Sequence, residues 1–324
     1  MMLFRNLLFL FILIPTFTAA ATTTAPVRIG LLSIGSHPSD LKSPTWSQLL
    51  ASLRVLGWVE GKTAQFVPGF GAGNIETLER AAAEIARAKP VLVFTTGNAE
   101  AAAMFKATKD IPVVMVHASD PIGLGHAQSL RKPGGNMTGL VVRAPGLLGK
   151  QLEMLREAVP KAKRVAIIMG AQQPAELLRD AELAAPKLGI TLVRVLPGTP
   201  EGFEALFAQL AREGVQAYVA PLDGLTFPHR ARFCAAAAKA RMPGIGEIAD
   251  YAAAGCLLSY GANLLALCRR AAAIGDKILR GARPADIPIE QPTHFDLMIN
   301  GKTAQELGVN IPASLLVRAE RVIE

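Results

Sequence analysis

The sequence predicts an α/β protein made of two Rossmann-like lobes, each built on a parallel sheet. Two observations carry this reading. Short apolar runs of strand length alternate with amphipathic stretches of helix length along the chain, and strands separated by helices of ten or more residues imply parallel sheets covered on both faces. The alternation breaks once, at the Pro-Gly-Gly-Asn turn of residues 133–136, and then restarts. With 324 residues, 51% hydrophobic and 19% charged, the chain is long enough for two cores and too apolar for global disorder.

The elements follow in order. "VRIGLLS" (27–33) is a continuous apolar run, a fully buried strand. Trp46, Leu49, Leu50 and Leu53 then stripe one helix face, and Gly57 fits its end. "TAQFVP" (63–68) is a short strand, and Leu78, Ala82 and Ile85 stripe the next helix. Strand 91–95, helix 98–108 and strand 112–117 complete the first unit. In the second, helix 145–158 carries Leu148, Leu152, Leu155 and Val159 on one face. Strand 165–169, helix 174–188, strand 191–195, helix 201–213, strand 217–221, helix 228–241 and the strand-like "CLLSY" (256–260) follow. Two such units make the cleft between lobes the default ligand site, beyond the carboxyl ends of the strands.

The N-terminus has one positive charge at Arg5, an apolar core and then Ala19-Ala20-Ala21. The apolar run is about eleven residues, short of the roughly twenty of a spanning helix, so residues 1–21 read as a cleaved secretory signal. Cys234, Cys256 and Cys268 all lie late in the chain, and none sits at the cleavage site to take a lipid anchor. A free periplasmic protein is therefore expected. Three cysteines allow at most one disulfide; the expectation here is three small buried residues. The net charge is +8, but the basic residues are scattered and not interleaved with aromatics, so no nucleic-acid partner is expected.

The segments just past the strand ends are short and rich in Gly, Ser, Thr, Asn and acids: Ser33 to Ser36, Thr96-Gly97-Asn98, His117 to Pro121, Gly170-Ala171-Gln172, Leu222-Asp223-Gly224 and Gly246-Glu247. Singly these are ordinary βα turns; as a set around a cleft they suit a polar ligand. Catalytic motifs fail on inspection. "GFGAGN" (69–74) has Asn74 in place of the third glycine of a dinucleotide fingerprint. Gly61-Lys62-Thr63 and Gly301-Lys302-Thr303 lack the earlier glycine of a P-loop, having Leu56 and Asp296 there. Ser33 lacks the glycine of a nucleophile elbow. The five histidines show no metal-binding spacing, and a His117–Asp120 acid/base pair has no nucleophile beside it. No catalytic residue, metal or cofactor is expected.

The blocks "LRVLGWVEGK", "VLVFTTGNAEAA", "IPVVMVHASDPIGLG", "SLRKPGGNMTGL", "LEMLREAVPKAKRVAII", "LLSYGANL", "GDKILRGARPADIPIEQPTHFDLMIN" and "TAQELGVNIPASLLVRAERVI" resemble, in this order, the ABC transporter substrate-binding proteins that include tryptophan-binding lipoproteins. The resemblance implies a type I periplasmic binding protein fold with three crossovers. It implies lobe 1 from residues 27–142 plus 264–286 and lobe 2 from 143–263 plus 287–324. It also implies a monomer without catalytic activity that delivers a small solute to an inner-membrane permease and its ATPase. The loops "HASDP", "MGAQQP" and "PLDGLTFPHR" depart from commoner forms, so ligand specificity does not carry over. A sensing domain of a membrane receptor and an exported hydrolase stand as alternatives.

On this reading Ser33, Gly35, Thr96, Gly97, Asn98, Ser119, Asp120, Gln172, Asp223 and Glu247 line the ligand. The N–H groups of Gly97, Asn98 and Ala99, with the Thr96 hydroxyl, are expected to hold a ligand carboxylate at a helix N-terminus. Asp120, Asp223 or Glu247 would face an ammonium, Ser33 and Gln172 would add neutral hydrogen bonds, and Phe70, Phe227 or Tyr251 would stack a flat side chain.

Overall fold

The computed structural model describes residues 25–35, 41–170 and 175–324. The expected signal segment 1–21 and Gln172 lie outside the described residues.

The first sheet has the order β2-β1-β3-β4-β5, parallel throughout. Its strands are β1 (Val27–Ser33), β2 (Ala64–Phe70), β3 (Leu92–Thr95), β4 (Val113–Ala118) and β5 (Met137–Val141). Helices α1 (Pro44–Val55), α2 (Ile75–Arg87) and α3 (Asn98–Ala107) connect the first four strands. α1 opens on a proline, whose missing N–H costs nothing there, and buries Trp46, Leu49 and Leu53. Leu50, expected in the same stripe, is only half-buried. Asn74, which breaks the dinucleotide pattern, caps α2 by accepting from the Thr77 N–H at 3.0 Å.

The second sheet has the order β7-β6-β8-β9-β10-β11-β12. It comprises β6 (Arg164–Ile168), β7 (Thr191–Val195), β8 (Ala217–Ala220), β9 (Gly244–Gly246), β10 (Leu258–Ala262), β11 (Phe295–Asn300) and β12 (Arg321–Ile323). Every pairing is parallel except β10 with β11. Around it lie α4 (Leu147–Ala158), α5 (Ala175–Ala184), α6 (Phe203–Arg212), α7 (Arg230–Lys239) and α8 (Ala249–Ala253), then, later in the chain, α10 (Gly301–Leu307) and α11 (Ala313–Arg318). The single helix expected over 174–188 is broken. Pro186 lacks the N–H needed to continue the ladder, so α5 gives way to a 3-10 turn at Pro186–Leu188.

Helix α9 (Leu264–Leu279) follows β10 but packs on the first sheet. Leu267, Cys268, Ala271, Ala272, Ile274 and Ile278 join Trp46, Leu49 and Leu53 in one core. The chain thus passes between the sheets after β5, after β10 and before β11. The third passage comes later than the Ile287 that the resemblance implies. Ile287 accepts from the Thr138 hydroxyl at 2.7 Å, and Glu290 exchanges backbone bonds with Gly139 and Val141, so residues 287–290 still run beside β5. Strand β5 itself escaped the sequence reading because Gly139 interrupts it. That glycine has φ +136, and a Cβ there would stand 2.0 Å from the Met115 carbonyl oxygen. No other residue fits so close to β4.

Each sheet is covered on both faces, with two apolar clusters per lobe. Leu222 and Leu264 pack against a core from each lobe. The cysteine expectation is corrected in part. Cys234 in α7 and Cys256 before β10 form a disulfide, while Cys268 is free and buried, its thiol pushed up to about 12 by burial. The disulfide shares a core with Phe203, Phe207, Tyr218, Phe233 and Tyr251, and the Tyr218 hydroxyl donates to Cys256 Sγ at 3.0 Å. Replacing both residues, Cys234→Ala with Cys256→Ala, is expected to lower unfolding free energy by about 2–4 kcal/mol, because a 22-residue separation is released in the unfolded chain. Urea denaturation of the oxidised protein and the double variant checks this.

Candidate functional site

Parallel pairing puts the carboxyl ends of β1, β3 and β4 along one edge, and the loops that leave them carry most of the expected site. Ser33 ends β1 and is buried; its Oγ accepts from the Gly35 N–H at 3.2 Å. The Asn98 side chain reaches across to the next loop, where its Oδ1 accepts from the Ser119 N–H at 2.8 Å. Asp120 closes its own turn, accepting from the Gly123 N–H at 2.8 Å.

The N-terminus of α3 is not an open anion site. Glu100, in its first turn and only 3% exposed, folds back so that Oε1 accepts from the Ile34 N–H and the Thr96 hydroxyl, both at 3.0 Å. Oε2 lies 2.9 Å from where a Cβ on Gly97 would stand. The protein's own carboxylate therefore sits where a ligand carboxylate was expected, and the Thr96 hydroxyl already donates to it. Burial raises the Glu100 pKa, opposed by hydrogen bonds from its own N–H, Ile34 and Thr96. A bulky group at Gly97 would meet Glu100 before any ligand.

His117 is the last residue but one of β4, and burial holds its pKa down at about 4, so the ring is neutral at pH 7. Asp120 is engaged with Gly123, and no His117–Asp120 hydrogen bond is present among the described residues. His126 is buried with its ring 5.0 Å from that of Phe105.

In the second lobe the two expected acids are both engaged internally. Asp223 accepts from the N–H groups of Gly170 (2.9 Å), Leu225 (2.8 Å) and Thr226 (3.2 Å), tying the loops after β6 and β8 together. Glu247, 1% exposed, takes the Arg143 Nε at 2.8 Å and the Leu222 N–H at 2.7 Å. The Arg143 Nη2 donates to the Leu222 carbonyl at 2.7 Å. Gly261 on β10 makes this possible, because a Cβ there would stand 1.6 Å from the Glu247 carbonyl oxygen. Tyr251 is fully buried, its hydroxyl 2.8 Å from that of Thr226, so it is core and not a stacking surface. Phe227 carries the Arg230 guanidinium over its ring at 4.7 Å, and Phe70, at the end of β2, is half-buried.

The structure therefore gathers Ser33, Gly35, Thr96, Gly97, Asn98, Ser119 and Asp120 on the first sheet's edge, and Asp223 and Glu247 on the second. Leu222, touching both cores, marks where the lobes meet. Sequence reasoning passed over Glu100 and Arg143. Glu100 had a signal, three residues after the Gly97 that starts a helix, which is capping-box spacing. Arg143 had only its position, directly after the apolar run that ends at Val142.

The chain matches the profile of the family described as ABC transporter substrate binding protein over residues 28–323. It belongs to that family. A relative named tyrosine-binding protein, from Clostridioides difficile (strain R20291), is 25% identical to this binding protein over 282 residues, covering 86% of this chain and 80% of the relative. A conserved domain protein of Vibrio cholerae superposes with a TM-score of 0.83 at 26% identity, over 91% of this chain and 99% of the other. A Streptococcus pneumonia ABC domain in complex with L-Trp also gives 0.83, at 24% identity, over 92% and 100%. The fold is that of type I periplasmic binding proteins. The binding protein works in ABC transport, in a family that is extracellular or periplasmic. Among the described residues no helix is long and apolar enough to cross a membrane.

Removing Arg143 leaves the binding protein with a buried, uncompensated carboxylate. Arg143→Met should lower unfolding free energy by about 3–5 kcal/mol, measured by urea denaturation, and adding Glu247→Leu should recover most of it. For Glu100, the folded pKa lies above the unfolded one, so its contribution to stability is full below about pH 4.5 and declines as pH rises through the folded value. The stability of Glu100→Gln relative to wild type should therefore increase from pH 4.5 upward. Urea midpoints between pH 4 and 8 test this, and a constant difference would show that burial does not strain the carboxylate.

Proposed function

We propose that this binding protein captures a free amino acid between its lobes and delivers it, unaltered, to an inner-membrane permease driven by an ATPase. The observation that carries this reading is the 282-residue match to a tyrosine-binding protein; a fold shared with an L-Trp complex supports it. An exported, periplasmic monomer with a cleaved signal, no lipid anchor and no catalytic activity of its own completes the proposal.

The side chains suggest how the solute lies. Glu100 and Asp120 put two carboxylates on the first sheet's edge, so this edge favours the ligand ammonium. That reverses the expected polarity, in which Gly97 to Ala99 hold the carboxylate. Ser33, Gly35, Asn98 and Ser119 supply neutral contacts from the same edge, and Gln172 adds a further neutral hydrogen bond to the solute. Asp223 and Glu247 act as positioning residues for the second lobe's loops. Ligand contacts from both lobes favour the closed form, and closure is what the permease reads.

A thermal-shift screen of the purified protein against free, N-acetylated and carboxy-amidated amino acids tests both parts. A free amino acid at a hundred times its dissociation constant should stabilise by about 2.7 kcal/mol, and its N-acetyl form should not. Asp120→Asn should weaken binding about tenfold or more, since a hydrogen bond to a charged group is worth about 1.5–3 kcal/mol. Equal binding of N-acetylated and free forms would overturn the orientation, and no amino-acid binding at all would overturn the substrate class.

A further inference from the structure

At the carboxyl end of β10, where β11 begins antiparallel to it, three side chains from distant points in the sequence converge. His294 lies on the third passage between the lobes, Asp296 is the second residue of β11, and Glu320 directly precedes β12. One donor atom from each lies within 4.8 Å of the other two. We propose that His294, Asp296 and Glu320 bind a divalent transition-metal ion of the zinc class.

The geometry is close to what an ion needs. Donors around zinc sit about 2.0–2.2 Å from the metal, so atoms sharing one ion stand a little over 3 Å apart. His294 Nε2 and Asp296 Oδ1 are already 3.2 Å apart. Glu320 is exposed, and a change of rotamer brings it in. Asp296 is the anchor. It is only 8% exposed, and its other oxygen accepts from Asn263 Nδ2 at 2.8 Å. Asn263 is itself held as the cap of α9, accepting from the Ala266 N–H at 2.9 Å. An outer partner that fixes a ligating carboxylate in this way is a regular part of metal sites. Glu320 is placed by its backbone, whose N–H donates to the Leu297 carbonyl at 2.8 Å.

The donor set selects the ion. Magnesium and calcium prefer oxygen alone, whereas an imidazole with two carboxylates suits zinc and its neighbours. Three protein donors leave a position for water, and two carboxylates balance the 2+ charge. No local motif announces the site, because residues 294, 296 and 320 do not share a helix or a turn. The expectation of no metal rested on such spacing alone. A bound ion would tie the third passage to the C-terminal strand and, through Asn263, to the second passage.

Titration calorimetry of the EDTA-treated protein with zinc chloride tests the site, with His294→Ala and Glu320→Gln as variants. Both substitutions are at exposed positions, and their metal-free melting temperatures report whether the fold is intact. One saturable site is expected in the wild type, weakened at least tenfold in each variant and not displaced by a hundredfold excess of magnesium. The absence of saturable zinc binding, unchanged affinity in both folded variants, or displacement by magnesium would overturn the proposal.

Discussion

The Arg143 guanidinium, buried against Glu247 and the Leu222 carbonyl, is the interaction on which the junction of the two lobes depends. Arg143 lies on the first passage between the sheets, and its partners lie on loops that leave β8 and β9. Taking two charges out of water costs several kcal/mol each, offset only when geometry and further hydrogen bonds are good. Here both conditions hold, since Glu247 also receives the Leu222 N–H. A hydrophobic pair of the same size would hold the lobes as firmly, but it would not specify which loops meet. The ion pair chooses them, and Gly261 gives it room.

The other acids at the strand ends act in a related way. Asp223 binds three backbone N–H groups from two loops, and Glu100 joins the β1 loop to the start of α3. Each replaces a ladder of backbone bonds that irregular loops cannot make for themselves. The rims of the two sheets are thus shaped by carboxylates that belong to the protein. On the proposed reading, a solute arriving there meets polarity contributed by the fold itself.

How much of this was legible in the sequence depended on distance along the chain. β1 emerged residue for residue, because a strand buried on both faces reads as an unbroken apolar run. The α2 stripe of Leu78, Ala82 and Ile85 is likewise buried as read. β9, three residues long with glycine at both ends, had no such pattern, and Gly139 disguised β5. At the site, sequence reasoning placed polar residues at the strand ends but not their partners. Ile34 and Glu100 are 66 positions apart, Arg143 and Leu222 79, and Arg143 and Glu247 104. Which backbone N–H groups each carboxylate takes is decided by folding, so composition could not separate Asp223, which ties two loops together, from Asp120, which closes its own turn.

The disulfide lies wholly within the second lobe, joining α7 to the chain entering β10. It crosses none of the three passages and not the Arg143 junction, so it stiffens one lobe without tying that lobe to the other. In the closure proposed above, oxidation would thus sharpen the shape of one lobe while leaving the ease of opening to the three linking segments.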